Sequence, residues 1–308
     1  MQTTFIFRNA RCVSIWFAAW AAFTLSTTAA AVITVVDDAG KTVILQSPAK
    51  RILSLAPHLT ELLFAAGAGD AIVGTVEYSD YPEAAKRIPR AGSHNSLDLE
   101  RIVAMKPDLI VVWLHGNAQK QLDKLLSLGI PAYYNQPNKL EDVPRSIETL
   151  GVLTGTEATA KTAAADFRNR LAALRTRYAS RPPVTLFYQV WSKPLTTLSG
   201  KHLVTDVIAL CGGKSLFAEL EPLAPTVAQE AVIEADPEAI ISTSVLRDGL
   251  ELWQKWPRMR AVKNGHLFAM DGNLINRHGP RITEGAEKLC DILESVRQQQ
   301  RTGSTPKK

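Results

Sequence analysis

The chain is short of the patterns that announce chemistry. It has no HxH or HExxH pair, no GxSxG turn, no GxxxxGK[ST] phosphate loop, and no GxGxxG after its first strand. Zinc hydrolases, nucleophile-elbow hydrolases, P-loop NTPases and dinucleotide enzymes therefore find no support in it. It also lacks a Lys/Arg run interleaved with aromatics. The formal charge of +5 falls to about +3 once Arg8 and Arg11 are set aside, too little to argue for nucleic acid. Cysteine is scarce, with three in the whole chain, and none lies at metal-ligand spacing from another Cys or a His.

What is present begins with an export signal. "MQTTFIFRNARCVSIWFAAWAAFTLSTTAAAV" carries two arginines, an apolar stretch from Val13 to about Leu25, and the small residues Ala29, Ala30 and Ala31. Residues 1–31 read as a signal peptide cleaved on export, with no membrane insertion of the mature chain. Cys12 precedes the apolar stretch and is not placed as a lipid-modified cysteine. In an oxidising compartment the remaining pair, Cys211 and Cys290, reads as one disulfide, with two buried free thiols as the alternative. A bond there would close a loop of about 80 residues and contribute about 4 kcal/mol on the chain-entropy model.

The chain of 308 residues (about two cores' worth) holds an ordinary globular balance, 46% hydrophobic and 21% charged, which excludes wholesale disorder. "ITVVDDAGKTVILQSPA" alternates as strands around a turn, and "RILSLAPHLTELLFAAGAGD" reads as a strand, a loop at Pro57–His58 and a helix stopped by glycine. "SLDLERIVAMKPD" is a short helix with Asp98 as N-cap, and "LIVVW" a strand too apolar for one wet face. Residues 141–181 are helical, with about 25 residues free of Gly and Pro, long enough for roughly 38 Å of unbroken helix. Strand–helix alternation then restarts at "VTLFYQVW" and ends with "PRITEGAEKLCDILESVRQQQ". The pattern predicts an α/β protein: two similar parallel-sheet lobes, 32–140 and 182–300, joined by one long rigid helix with a ligand cleft between them. A disordered tail is expected over 301–308.

The halves repeat one another. "LERIVAMKPDLIVVW" and "QEAVIEADPEAIIST" match at Glu100/Glu230, Pro107/Pro237, Asp108/Glu238, Ile110/Ile240 and Val111/Ile241. Thr60, Glu61 and Gly67 likewise match Thr205, Asp206 and Gly212. Glu100 and Glu230 should lie exposed near a helix start, where an acid complements the helix dipole by about 0.3–1 kcal/mol. Found on both lobes, the pair also suits docking onto basic residues of a two-fold-symmetric partner.

Ligands of open α/β sheets bind beyond the carboxyl ends of the strands. His58, Tyr78, Trp113, His115, Trp191 and the "DGNLINRHGPR" loop belong there, a lining that suits a large amphipathic ligand better than a bare ion. His58 and His115 with Asp271 would be the ligands of a Zn or Mn site, but scattered histidines such as these, with His94, His202, His266 and His278, are usually solvated or core residues.

"RILSLAPHLTELLFAAG", "YSDYPEAAKRIPRAGS", "LDLERIVAMKPDLIVVW" and "CGG" together resemble the periplasmic substrate-binding proteins of the helical-backbone class. These deliver cobalamin, haem and iron–siderophores to ABC importers, and the resemblance is strongest to the cobalamin-binding members. It implies a non-enzymatic, monomeric receptor without cofactor, with cobalamin as its transported ligand and an ABC permease dimer with its ATPase subunits as partner. It implies docking by Glu100 and Glu230, a disulfide between Cys211 and Cys290, and ligand contacts from Tyr78 and Trp113. His94, Trp191 and the segment Asn273, Leu274, Ile275, Asn276 and Arg277 are further candidate ligand contacts. The chain departs from the family pattern in that segment, of which Arg277 alone is kept, and in having His94 and Ala224 where the family has cleft tryptophans. Haem or a ferric siderophore is the alternative ligand.

Overall fold

Short apolar β-branched segments, each followed by a glycine- or proline-punctuated helix, give a computed structural model with two parallel sheets. It describes residues 1–4, 32–93, 96–117, 119–243 and 248–303, and Val32–Lys308 forms one compact unit. A hairpin of β1 (Ile33–Val36) and β2 (Thr42–Leu45) opens this unit, as its alternating pattern predicts. The first α/β run is β3 (Ile52–Ser54), α1 (Pro57–Ala65), β4 (Ile72–Thr75), α2 (Leu99–Met105), β5 (Leu109–Trp113), α3 (Gln119–Leu126) and β6 (Ala132–Asn135). Two helices follow, α4 (Asp142–Thr154) and α5 (Glu157–Tyr178). The second run is β7 (Val184–Gln189), β8 (Trp191–Ser192), β9 (Leu195–Thr196), α6 (Leu203–Leu210), β10 (Gly213–Ser215), α7 (Gln229–Ala235) and β11 (Ala239–Ser242). It ends with α8 (Asp248–Gln254), α9 (Arg260–Lys263), β12 (Leu267–Ala269), α10 (Gly272–Ile275) and α11 (Ile282–Gly303).

Both sheets are wholly parallel and share one order. The first runs β4-β3-β5-β6 and the second β10-β7-β11-β12, so in each sheet the strand earliest in the chain sits second and the sheet's next strand lies at the edge. The strands β5 and β11 are buried almost from end to end and, Ser242 apart, apolar, as parallel strands covered on both faces require. The repeated phrase folds identically in the two runs. α2 and α7 each span seven residues and end on a left-handed residue, Lys106 (φ 48°) and Asp236 (φ 44°), ahead of Pro107 and Pro237. The acid that follows then ties the helix to the neighbouring strand. Asp108 accepts from the backbone N–H groups of Lys50 and Arg51, both at 2.9 Å, and Glu238 accepts from that of Thr185 at 2.6 Å.

The long helix α5 buries Ala160, Ala164, Phe167, Leu171, Leu174 and Tyr178, a stripe of alternating four- and three-residue steps. It packs chiefly on α4, where Gly151 permits the approach: a Cβ there would lie 2.3 Å from that of Ala160. Arg168 forks onto Glu148 across the same pair at 2.6 and 3.0 Å. At 22 residues α5 is slightly shorter than expected and spans about 33 Å. Cys211 at the end of α6 is bonded to Cys290 of α11 (S–S 2.02 Å), which settles the choice between disulfide and free thiols.

Two expectations need correction. Pro57 and His58 are not loop but the first turn of α1; proline is at home there because the first helical N–H has no partner to lose. The closing helix also runs to Gly303, three residues into the expected tail. Its last turns are held from outside, by Gln299 Oε1 at 2.6 Å from His266 Nε2 and by Gln300 donating to Glu238 at 3.0 Å. Residues 304–308 lie outside the described residues, as do 5–31 of the expected signal segment.

Candidate ligand cleft

The carboxyl ends of β3, β4 and β5 in the first run and of β7, β11 and β12 in the second carry the residues that meet between the sheets. Tyr78, just past β4, is a non-glycine residue in the left-handed region (φ 64°) with a side chain 69% exposed. Such a conformation costs about 1–3 kcal/mol and needs support from its surroundings. The support is Arg277, whose Nη2 donates to the Tyr78 carbonyl at 3.1 Å. Arg277 Nη1 also reaches Asp80 Oδ1 at 2.9 Å and Glu61 Oε1 at 3.1 Å. Burial is the largest single influence and works to raise the Asp80 carboxyl, but the hydrogen bond and charge of Arg277, with Arg281 adding, together leave the group below its ordinary value.

Glu61, on α1, is the focus of this seam. Its side chain is only 1% exposed and takes a fork from Arg281, through Nε at 2.9 Å and Nη2 at 2.7 Å, in addition to Arg277. Two arginines satisfy a carboxylate that burial alone would make costly. Arg281 in turn lies over the Tyr81 ring, 4.1 Å from its centroid. Beside this network a cavity of about 310 Å³ is lined by Asp80, Tyr81, Glu83 and Lys86 from one run and Asp271, Asn273 and Arg281 from the other. That volume is at the small end for ligand pockets.

A second contact across the seam is built from histidines. The backbone N–H of Val204 donates to His202 Nδ1 at 3.1 Å, which places the His202 proton on Nε2. His202 Nε2 therefore donates to His278 Nε2 at 3.2 Å, and His278 carries its proton on Nδ1. His58 packs against both His278 (ring centroids 5.8 Å) and the edge of Trp113 (5.3 Å). Burial pushes His202 down to about 3, with His278 adding to the effect. Burial also pushes His278 down to about 4, against an opposing influence of the Pro137 carbonyl. His58 is held well below its usual value by burial, then by His278 and Arg277. His58 Nε2, Trp113 Nε1 and Ser79 Oγ are buried with no hydrogen-bond partner among the described residues. Since the facing nitrogens of His202 and His278 already share a proton, they present no pair of free lone pairs to a metal. Among the described residues no set of three His, Cys, Asp or Glu is placed to hold one.

The structure thus brings Tyr78, Trp113 and Arg277 to one region. Trp191 stands 63% exposed on β8 and Asn273 is exposed at the cavity. Asn276 is half-buried, accepting from the Tyr188 hydroxyl at 2.7 Å and donating to Thr243 at 3.0 Å. Leu274 and Ile275 are buried, Ile275 within the main core, so neither presents a surface to the cleft. Their α10 turn is amphipathic, a pattern too short to read in four residues. His94 lies outside the described residues. His115 is exposed, and Asp271 caps α10 by accepting from Asn273 N–H at 2.9 Å, so neither joins His58. Glu100 and Glu230 are exposed in the first turns of α2 and α7.

Sequence reasoning passed over Glu61, Asp80, Arg281, His202 and His278. One signal for Glu61 was available: its match with Asp206 in the repeated helix, where Asp206 Oδ2 accepts from the Leu140 N–H at 3.0 Å.

A family model described as periplasmic binding protein matches residues 52–274. The chain belongs to that family. It is 38% identical over 253 residues to the vitamin B12-binding protein of Vibrio cholerae, covering 82% of this chain and 92% of the relative. The crystal structure of the periplasmic vitamin B12-binding protein BtuF of the same species superposes with a TM-score of 0.76, over 81% of this chain and 98% of that one. The periplasmic haem-binding protein RhuT of Roseiflexus shares the fold at a TM-score of 0.71 and 22% identity, covering 80% of this chain and 98% of its own. Family and relatives are solute-binding proteins of the two-lobed, α/β type, as the sequence pattern led one to expect. No described helix is long and apolar enough to cross a membrane.

Proposed function

We propose that this family member captures a corrinoid of the cobalamin type in the periplasm and presents it to an ABC importer. The observation that carries the reading is the 38% identity to a vitamin B12-binding protein over 82% of the chain. The exposed Tyr78 and Trp191, the half-buried Trp113 and the polar Asn273, Asn276 and Arg277 support it, offering apolar faces with polar trimming to a large amphipathic ligand. The lobes are those around the two sheets, 32–140 and 182–300, with 141–181 as their helical link and 1–31 as a cleaved signal. Glu100 and Glu230, one on each copy of the repeated helix, engage basic residues of the two permease subunits. The protein acts as a monomeric receptor, not an enzyme, and holds no cofactor of its own. Calorimetric titration with cyanocobalamin, with the corrin absorption bands followed in parallel, tests the ligand. Tight one-to-one binding is expected; no heat and no spectral change would pass the site to haem or a siderophore.

A further inference from the structure

A buried carboxylate joins the two runs of the chain beside the cleft. Three observations converge on Glu61. It is fully buried on α1, at the foot of the first sheet's carboxyl edge. Both its partners, Arg277 and Arg281, come from the other run of the chain, 216 and 220 residues away. One of those partners, Arg277, also donates to Asp80 and to the carbonyl of the left-handed Tyr78, back in the first run. The chain of contacts therefore leaves the first lobe at Glu61, passes through Arg277, and returns to it at Tyr78. An arginine fork fixes both distance and plane, which a point charge would not.

We propose that Glu61 is a positioning residue: by anchoring Arg277 and Arg281 it holds the two lobes at a set separation and keeps Tyr78 in the conformation that faces the ligand. Its effect on affinity rests on the reading of the cleft as a corrinoid site; its effect on lobe separation does not. Glu61→Gln keeps the shape and one acceptor oxygen but loses the charge that two guanidiniums share. Glu61→Asp keeps the charge and withdraws it by one methylene.

Nitroxide labels placed through Lys120→Cys on α3 and Glu251→Cys on α8, both exposed, would report the separation in the purified, ligand-free protein by pulsed electron resonance. Glu61→Gln is expected to broaden or shift the distance distribution, and Glu61→Asp to restore most of it. In parallel titrations Glu61→Gln should weaken cyanocobalamin binding at least tenfold, chiefly through faster dissociation, with Glu61→Asp recovering part of the loss. Both measurements are made well below the melting temperature of each variant, so a purely structural role would lower that temperature and move neither. A distribution for Glu61→Gln that matches the parent in mean and width overturns the proposal, whatever the melting temperature. If the parent itself fails to bind cyanocobalamin, the corrinoid reading falls, and the distance measurement alone decides the role of Glu61.

Discussion

Glu61 and Asp206 occupy the same place in the repeated helix, yet they hold the two ends of the seam differently. Glu61 is 1% exposed and clamps two arginines; Asp206 is 32% exposed and takes one backbone N–H and, at 3.6 Å, the ammonium of Lys139. A buried carboxylate held by two arginines cannot let go without stranding charge, whereas a half-wet acid with a lysine gives up little. The duplicated scaffold has one firm joint and one soft one. A second asymmetry runs the other way: Cys211–Cys290 staples α6 to α11 in the second lobe, while the matching position on α1 is Ala66. The lobe with the firm joint lacks the staple.

The comparison can be broken most severely at the paired surface acids. Glu100→Ala with Glu230→Ala should reduce uptake to background, on the order of a hundredfold or more, while leaving ligand affinity unchanged; either single change should cost less. Transport of labelled cobalamin in whole cells and titration of the purified variants check the two halves of that statement. A loss of affinity in the double variant would remove these acids from the docking role. Next comes the seam itself. Glu61→Gln should lower stability by about 3 kcal/mol and the melting temperature by about 6–10 °C, against under about 1 kcal/mol for Asp206→Asn. Equal losses in thermal melts would mean that the two joints are alike after all.

Replacing both cysteines by alanine should remove about 2–4 kcal/mol. Hydrogen exchange should show the loss in α6 and α11 before it shows in α1. Acid sharpens the contrast through the histidines. Folded-state values near 3 and 4 lie below the unfolded value of about 6.5, so the stability they contribute is complete above pH 6.5. It declines as pH falls from about 6.5 to about 3, and levels off below both folded values. Urea midpoints measured across that range check the slope, and His278→Asn should flatten it. The smallest difference lies at the helix starts. Asp98 caps α2 by accepting from Arg101 N–H at 3.0 Å, whereas Ala228 offers α7 no side-chain cap. Asp98→Ala should cost about 1 kcal/mol and Ala228→Asp should gain about half that, as read from melting curves.

Much of the fold was legible because its signals are local. Asp98, Pro107 and the run Leu109–Trp113 specify cap, stop and buried strand within sixteen residues, and the second lobe repeats the stop and the strand. The strands β8, β9 and β10 escaped because two or three residues such as Gly213–Ser215 carry no period; their pairing is decided by neighbours in the sheet. Tyr78 and Trp113 were placed at strand ends by chain order alone. Glu61 was not recognised, because an acid inside "LTELLFAAG" reads as a solvated face until Arg277 and Arg281 arrive from the far end of the chain. Leu274 and Ile275 were read as ligand contacts for a related reason: a four-residue turn shows no face until something packs on it.

The helix α5 has one further consequence. It packs chiefly on α4 and is braced by α1, α6 and α11, with Tyr178 donating to Asp291 at 3.1 Å near its end. A beam supported at so many points transmits outline, not news: on the proposed function, the receptor would show an importer nearly the same silhouette empty or full. The message that cargo is aboard would then have to be read from the exposed face of the cargo itself.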